Sequence, residues 1–174
     1  LNNIAAIYNN LGQTANGLDY FNRSLKIRGE VGDTRGMAQS LNNIGAIYFK
    51  QGKTKEALEH YNRSLELYTS ISNKPGIAYS LNNSGFVYYT QGETDKALEN
   101  HKKALVLYEE IPEKRGVSNS LYYIGLVLVK QNKAAEAIPY ARRSLQTARE
   151  GGYAEAIRNA YLVLAQTDSA TGNN

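Results

Sequence analysis

Apolar residues recur along this chain at three- and four-residue steps, in stripes separated by short polar interruptions. One stripe lies between Met37 and Phe49 and consists of Ala38, Leu41, Ile44, Gly45, Ile47 and Tyr48. Another follows Thr54 and consists of Ala57, Leu58, Tyr61, Ser64, Leu65 and Tyr68. Such steps place the apolar residues on one face of an α-helix. Because no segment alternates at period two, the pattern predicts helices rather than strands.

The interruptions between stripes contain residues typical of helix ends. Gly52 lies where a helix C-terminus commonly takes a left-handed residue. Thr54 is suited to cap the helix that follows, and Pro75 is suited to the first turn of the next one. The sequence therefore predicts a hairpin made of one helix, here called helix A, and a second helix, helix B.

This hairpin repeats with a period of forty residues. The tetrapeptide LNNI at Leu1 returns at Leu41, LNNS follows at Leu81, and LYYI follows at Leu121. A fixed period of this kind is typical of a helical solenoid. We expect a single array over residues 1–174, with copies at 1–40, 41–80, 81–120 and 121–160 and a partial copy at 161–174. The predicted fold class is all-α, with four helix hairpins and a terminal helix.

Small residues also keep the repeat register. Gly45, Gly85 and Gly125 form one column on helix A. A glycine inside a helix costs about 1 kcal/mol relative to alanine, so a compensating close approach of helices is expected there.

The composition limits the chemistry that the chain can perform. It has no cysteine, which excludes disulfides, thiolate metal sites and cysteine nucleophiles. His60 and His101 lie in different copies without a second ligand, so we expect no metal and no cofactor. Gly52-Lys53-Thr54 imitates the end of a phosphate-binding loop, but no predicted strand precedes it. These features predict that the chain is not an enzyme.

The charge and the hydropathy pattern limit the possible partners. The net charge is only +4, and Lys102-Lys103 and Arg142-Arg143 recur at one place on helix B. A solvated outer ridge is favoured over a nucleic-acid surface there, so nucleic acid is not the expected partner. No apolar run approaches the roughly 20 residues that cross a bilayer.

The repeat resembles the tetratricopeptide repeat. The matching residues are Leu41-Asn42-Asn43-Ile44-Gly45, Tyr48, Gln51-Gly52, Ala57-Leu58, Tyr61 and Ser64-Leu65. The family period is about 34 residues with a leading aromatic, whereas leucine leads here and the period is longer. The longer form is similar to repeats of Pins-type G-protein signalling modulators and of bacterial histidine kinases and transcription regulators. The resemblance implies a right-handed superhelix whose concave wall, lined mainly by helix A, holds a partner's peptide or helix.

The non-packing face of helix A carries pairs of asparagines in the repeat register. The candidate peptide-binding amides are Asn3, Asn42, Asn43, Asn82 and Asn83. An amide offers two donors and an acceptor, so it can pair with both polar groups of a peptide backbone. The alternative is that one asparagine of each pair bonds to the adjacent repeat or is simply solvated.

Aromatic residues replace the amides towards the fourth copy. The candidate aromatic contacts are Phe49, Tyr79, Phe86, Tyr89, Tyr122 and Tyr123. Exposed aromatics often anchor a partner in a groove. The alternative is that each ring packs against the helix B of a neighbouring repeat.

The best-known site of the family is a clamp of basic helix-A residues that grips the C-terminal carboxylate of a peptide. The matching positions here hold Gln39, Tyr79, Asn119 and Asn159, besides the Asn and Tyr pairs. None of these is Lys or Arg, so no carboxylate clamp is expected.

The predicted function is a non-catalytic scaffold that binds a peptide segment of a protein partner. The alternative is a sensory or regulatory segment of a larger bacterial signalling protein, such as a histidine kinase or a transcription regulator. The chain starts at Leu1 without an initiator methionine and its fifth copy is partial, so we expect a segment of a longer protein. The cytoplasm is the slightly favoured compartment, and the sequence leaves the oligomeric state undetermined.

Overall fold

The computed structural model describes residues 2–171, and in that range all regular structure is helical. The helices are α1 (Asn2–Asn10), α2 (Thr14–Glu30), α3 (Thr34–Lys50), α4 (Thr54–Ser70), α5 (Lys74–Gln91), α6 (Thr94–Glu110), α7 (Lys114–Lys130), α8 (Ala134–Glu150) and α9 (Ala154–Thr171). Odd-numbered helices are A helices and even-numbered helices are B helices. The predicted all-α fold of four hairpins and a terminal helix is confirmed.

The hairpins after the first begin earlier than the repeated tetrapeptides. The four hairpins run over residues 2–30, 34–70, 74–110 and 114–150. Leu41, the first residue of the predicted second copy, therefore lies in the middle of α3. The forty-residue copies give the period of the array, whereas the turns set the hairpin boundaries.

The turn at Gly52 shows how each A helix ends. Gly52 has φ +76°, a left-handed conformation that costs glycine little. The amide of Lys53 then donates to the carbonyl of Tyr48 at 2.9 Å, which satisfies one of the last carbonyls of α3. The expectation for Thr54 was wrong: Thr54 is the first residue of α4, and Lys53 occupies the cap position without a side-chain bond.

Side-chain caps occur instead at the start of the A helices. Asp33 Oδ1 accepts from the amide of Gly36 at 2.9 Å, and Asn73 Oδ1 accepts from the amide of Gly76 at 2.8 Å. These bonds satisfy amides that a helix N-terminus leaves without an internal partner. They help to fix where α3 and α5 start.

The chain divides into two compact units, Leu1–Val87 and Tyr88–Asn174. In the first unit, Ile44 and Ile47 of α3 pack with Phe21 of α2 in one buried cluster. A second cluster contains Tyr61 of α4 and Val87 of α5. Both clusters join helix A of one hairpin to helix B of the same or the preceding hairpin.

The second unit has the same kind of core, in which a histidine takes an aromatic position. Leu121 and Ile124 of α7 and Val163 of α9 are fully buried. His101 of α6 is also fully buried, at the repeat position that Phe21 and Tyr61 occupy in the first unit. Burial lowers the pKa of His101 to about 3, so the imidazole is neutral at physiological pH.

Buried serines connect helices A and B in each unit. In the first unit, Ser64 Oγ donates to the carbonyl of Ala38 at 2.7 Å. In the second, Ser144 Oγ donates to the carbonyl of Ser118 at 2.9 Å. A serine is small enough for the close helix approach that the repeat requires, and its hydroxyl is hydrogen-bonded although it is buried.

Candidate peptide-binding cavities on the A helices

A cavity recurs at the same place in both units. In the first unit it has a volume of about 310 Å³ and lies between α3, α4 and the start of α5. In the second it has a volume of about 270 Å³ and lies between α7 and the start of α9. The α3 residues are Arg35, Gln39, Asn42 and Asn43, and the α7 residues eighty positions later are Arg115, Asn119, Tyr122 and Tyr123. We call these the amide cavity and the tyrosine cavity.

A glycine and a tyrosine in the lining of the amide cavity pack closely together. A Cβ atom on Gly76 would lie 2.3 Å from the ring of Tyr68, so only glycine permits this approach. The Tyr68 ring is buried, and burial raises the pKa of its hydroxyl, while the charge of Arg35 acts in the opposite direction. Tyr79, which is 51% exposed, also lines the cavity.

Asn42 has a partner within the chain and also lines the amide cavity. Asn42 is only 2% exposed, and its Nδ2 donates to Ser80 Oγ of α5 at 2.9 Å. Its position turns towards the next A helix, so the amide connects α3 to α5. The Nδ2 of Asn42 therefore has a local role, and contact of Asn42 with a peptide stays a prediction. Asn82, at the equivalent position of α5, is 8% exposed, and its contact with a peptide also stays a prediction.

The second asparagine of each pair is more accessible. Asn43 is half-buried and lines the amide cavity, where its amide can reach a bound group. Asn83 is half-buried on α5, and Asn3 is exposed on α1. Contact of Asn3, Asn43 and Asn83 with a peptide stays a prediction.

Three of the candidate aromatics lie outside the linings of the two cavities. The rings of Phe49 and Phe86 pack edge to face, with centroids 5.4 Å apart. Lys130 Nζ lies 4.5 Å from the ring centroid of Tyr89 and also donates to its carbonyl oxygen at 2.7 Å. These half-buried rings have partners on neighbouring A helices, and Phe49 also packs against the cluster that contains Tyr61 of α4.

Of the remaining candidates, Tyr79 lines the amide cavity, and Tyr122 and Tyr123 line the tyrosine cavity. Tyr122 and Tyr123 have ring centroids 5.0 Å apart, and burial raises the pKa of Tyr122. The guanidinium of Arg115 lies 4.8 Å from the ring centroid of Tyr153, and Glu155 adds a carboxylate to the lining. The tyrosine cavity therefore contains both signs of charge, whereas the amide cavity contains only the charge of Arg35.

Sequence reasoning missed Arg35 and Arg115. Each lies four residues before a position that was compared with the carboxylate clamp, Gln39 or Asn119. The available signal was their separation by two periods, with Pro75 at the position halfway between them. The missed residues supply one cation to each cavity.

Neither a metal site nor a membrane span is found in the part of the chain that the structure describes. Residues 2–171 contain no cluster of three or more His, Cys, Asp or Glu side chains with the geometry to hold a metal ion. Within the same range, every helix is too short or too polar to cross a membrane.

The architecture described above defines a helical-repeat protein, and the sequence identifies its family. Residues 1–70 and 76–150 match the tetratricopeptide repeat family, so the chain belongs to that family. Its hairpins form a tetratricopeptide solenoid, a fold that indicates protein–protein interaction. No curated protein matches the chain in sequence.

Solved structures with this fold include three that differ widely in size. Aspartyl phosphate phosphatase F from Bacillus subtilis has 15% identity and a TM-score of 0.90, and the match covers 98% of this chain and 46% of that one. BtubC (BKLC) from P. vanneervenii has 23% identity and a TM-score of 0.76, with 86% and 63% covered. A signal transduction ATPase with a tetratricopeptide repeat sensor from Pyrococcus horikoshii has 21% identity and a TM-score of 0.78, with 91% and 24% covered. The chain spans less than two thirds of each of these structures.

Proposed function

We propose that this chain is a non-catalytic scaffold that binds an extended peptide segment of a protein partner through the exposed faces of its A helices. The observation that carries the proposal is the recurrence of one cavity at the same repeat register in both units. Arg35 and Asn43 line one cavity, and Arg115 and Tyr123 line the other at equivalent positions.

The amide of Asn43 is suited to a peptide backbone. It is half-buried in a cavity of about 310 Å³, so a hydrogen bond from this amide to a bound peptide would be partly shielded from water. Each such bond contributes about 0.5–1.5 kcal/mol net. Amides at Asn43 and Asn83, with Asn3 exposed at the start of the array, therefore support weak to moderate affinity with limited dependence on peptide sequence.

The proposal is tested with the double variant Asn43→Ala with Asn83→Ala. The probe is a set of peptides selected from a displayed random library on the unmodified protein. We expect the thermal midpoint to stay nearly unchanged and the dissociation constants to rise several-fold, as loss of one or two hydrogen bonds implies. Unchanged affinity would refute the role of these amides, and an unfolded double variant would show that they are structural.

A second candidate function is a sensory or regulatory segment of a larger signalling protein. It is favoured by the likeness to the ATPase whose tetratricopeptide repeats are described as a sensor, since this chain corresponds to 24% of that protein. The complete gene tests it. An adjoining kinase or DNA-binding domain would support regulation, and a reading frame confined to these repeats would exclude it.

A further inference from the structure

The amide cavity has an unbalanced charge. Arg35 is exposed at its edge and makes no ion pair with any carboxylate of residues 2–171. Asp33 is the acid nearest to it in sequence, but its Oδ1 accepts from the amide of Gly36, and its Oδ2 lies 3.4 Å from Arg28 Nη1. The guanidinium of Arg35 therefore has donors for an anion that the described residues do not supply.

The other groups of the cavity add donors and one unsatisfied acceptor. Asn43 and Tyr79 contribute an amide and a hydroxyl to the lining. Asn42 is only 2% exposed, and its Oδ1 has no hydrogen-bond donor among the described residues. An anionic residue with its own backbone N–H offers both groups that the cavity lacks.

The tyrosine cavity provides an internal comparison. It has Arg115 at the position of Arg35, but Glu155 replaces Pro75 in the lining. That carboxylate adds a negative charge to the lining and lies 3.8 Å from Arg158 Nη2, while the guanidinium of Arg115 is placed over the ring of Tyr153. Two cavities at one repeat register therefore differ in their electrostatic preference.

We propose that the amide cavity selects an aspartate or glutamate side chain of the bound peptide, with Arg35 donating to its carboxylate. The inference rests on the proposed function and adds to it the class of residue that one cavity recognises. A side chain is the source of the carboxylate, because an extended segment continues beyond the cavity in both directions. Charge-assisted bonds from arginine to a carboxylate give directional preference as well as attraction.

The experiment uses the random-library peptides selected on the unmodified protein. We expect Asp or Glu to be enriched at one fixed peptide position. Replacing that residue by Gln or Asn should weaken binding about fivefold, the effect typical of a partly exposed ion pair. In Arg35→Gln the acidic and neutral peptides should bind equally. Arg63→Gln, which removes the same charge from an exposed position on α4, should keep the discrimination.

Two further variants test the comparison between the cavities. Pro75→Glu should reduce the acidic preference while Arg35 is still present. Glu155→Gln should create a second acidic preference in peptides selected on that variant. Because Arg35 and Glu155 are exposed, their variants should melt at the temperature of the unmodified protein.

Each other outcome has a defined meaning. Failure to enrich any peptide overturns the proposed function together with the inference. Peptides without an acidic bias, or an acidic bias that survives in Arg35→Gln, overturn only the inference. A loss of binding on amidation of the peptide C-terminus, without any effect of the Glu→Gln change, overturns the assignment to a side chain.

Discussion

Gly45 offers a quantitative test of the helix packing. A Cβ added at this position of α3 would lie 2.7 Å from Cε1 and 2.8 Å from Cδ1 of Tyr61, and 3.2 Å from the carbonyl oxygen of Ala57. Carbon atoms normally approach to about 3.5–4.0 Å, so the ring would have to move by about 1 Å. Tyr61 is 3% exposed and packed on all sides, which restricts that movement.

Two opposing terms determine the effect of Gly45→Ala. Alanine stabilises the middle of a helix by about 1 kcal/mol relative to glycine. Overpacking of a buried site costs about 1–3 kcal/mol, and the contacts with both a ring and a backbone oxygen favour the upper end. We therefore expect Gly45→Ala to lower the free energy of unfolding by about 1–2 kcal/mol.

Two matched variants make the comparison specific. Gly125 has the equivalent position in α7, but its added Cβ would meet only Val163 Cγ1 at 3.0 Å, with the next atom at 3.9 Å. A small shift of that methyl suffices, so Gly125→Ala should stay within about 0.5 kcal/mol of the unmodified protein. At Gly29 the nearest atom is Met37 Cε at 3.8 Å, so Gly29→Ala should raise stability by about 0.5–1 kcal/mol.

The assay is urea unfolding at equilibrium, followed by far-ultraviolet circular dichroism, with all four proteins under one buffer condition. The expected order of stability is Gly29→Ala, unmodified, Gly125→Ala and Gly45→Ala. If Gly45→Ala is at least as stable as Gly125→Ala, the packing of Tyr61 against α3 does not restrict position 45 to glycine, and our inference is wrong.

Two further variants test the buried polar groups. Burial lowers the pKa of His101 to about 3 in the folded state, against 6.5 in an unfolded chain, so its contribution to stability is present above pH 6.5 and is lost as the pH falls towards 3. His101→Phe, which introduces the residue found at the equivalent position 21, should flatten the pH profile of urea stability in that window, and an unchanged profile would contradict the assignment. Asn42→Ala removes the bond to Ser80 and should cost about 1–2 kcal/mol, whereas Asn43→Ala should leave stability within about 0.5 kcal/mol. Equal losses at Asn42 and Asn43 would show that their burial does not distinguish them.

Most of the fold could be predicted because packing imposes a local and repeated pattern. Ile44 and Ile47 are buried at three-residue spacing, and Gly52 has the left-handed conformation expected at the turn. The start of each helix was less accessible to sequence reasoning. Asp33 and Asn73 cap A helices, whereas Thr54 does not cap α4, since cap residues also occur commonly inside the first turn.

The candidate site could be predicted only in part, because adjacent residues on a helix point in different directions. Asn42 and Asn43 are chemically identical in the sequence, and only the position of α5 determines that the first is buried against Ser80. Arg35 was missed because it lies one helical turn before the positions that family resemblance emphasises. The amide cavity is lined by residues of three helices, and no local pattern in the sequence predicts that these residues come together.

The division of α3 between a buried side and a cavity side has a consequence for redesign. Ile44 and Ile47 hold the array together, while Arg35, Gln39 and Asn43 lie on surface that the core does not need. Ligand preference could therefore be exchanged between repeats by transplanting a few side chains at fixed spacing, leaving the scaffold intact. In an array built this way, the side chains that line each cavity could be changed separately, while the buried residues that stabilise the fold stay the same.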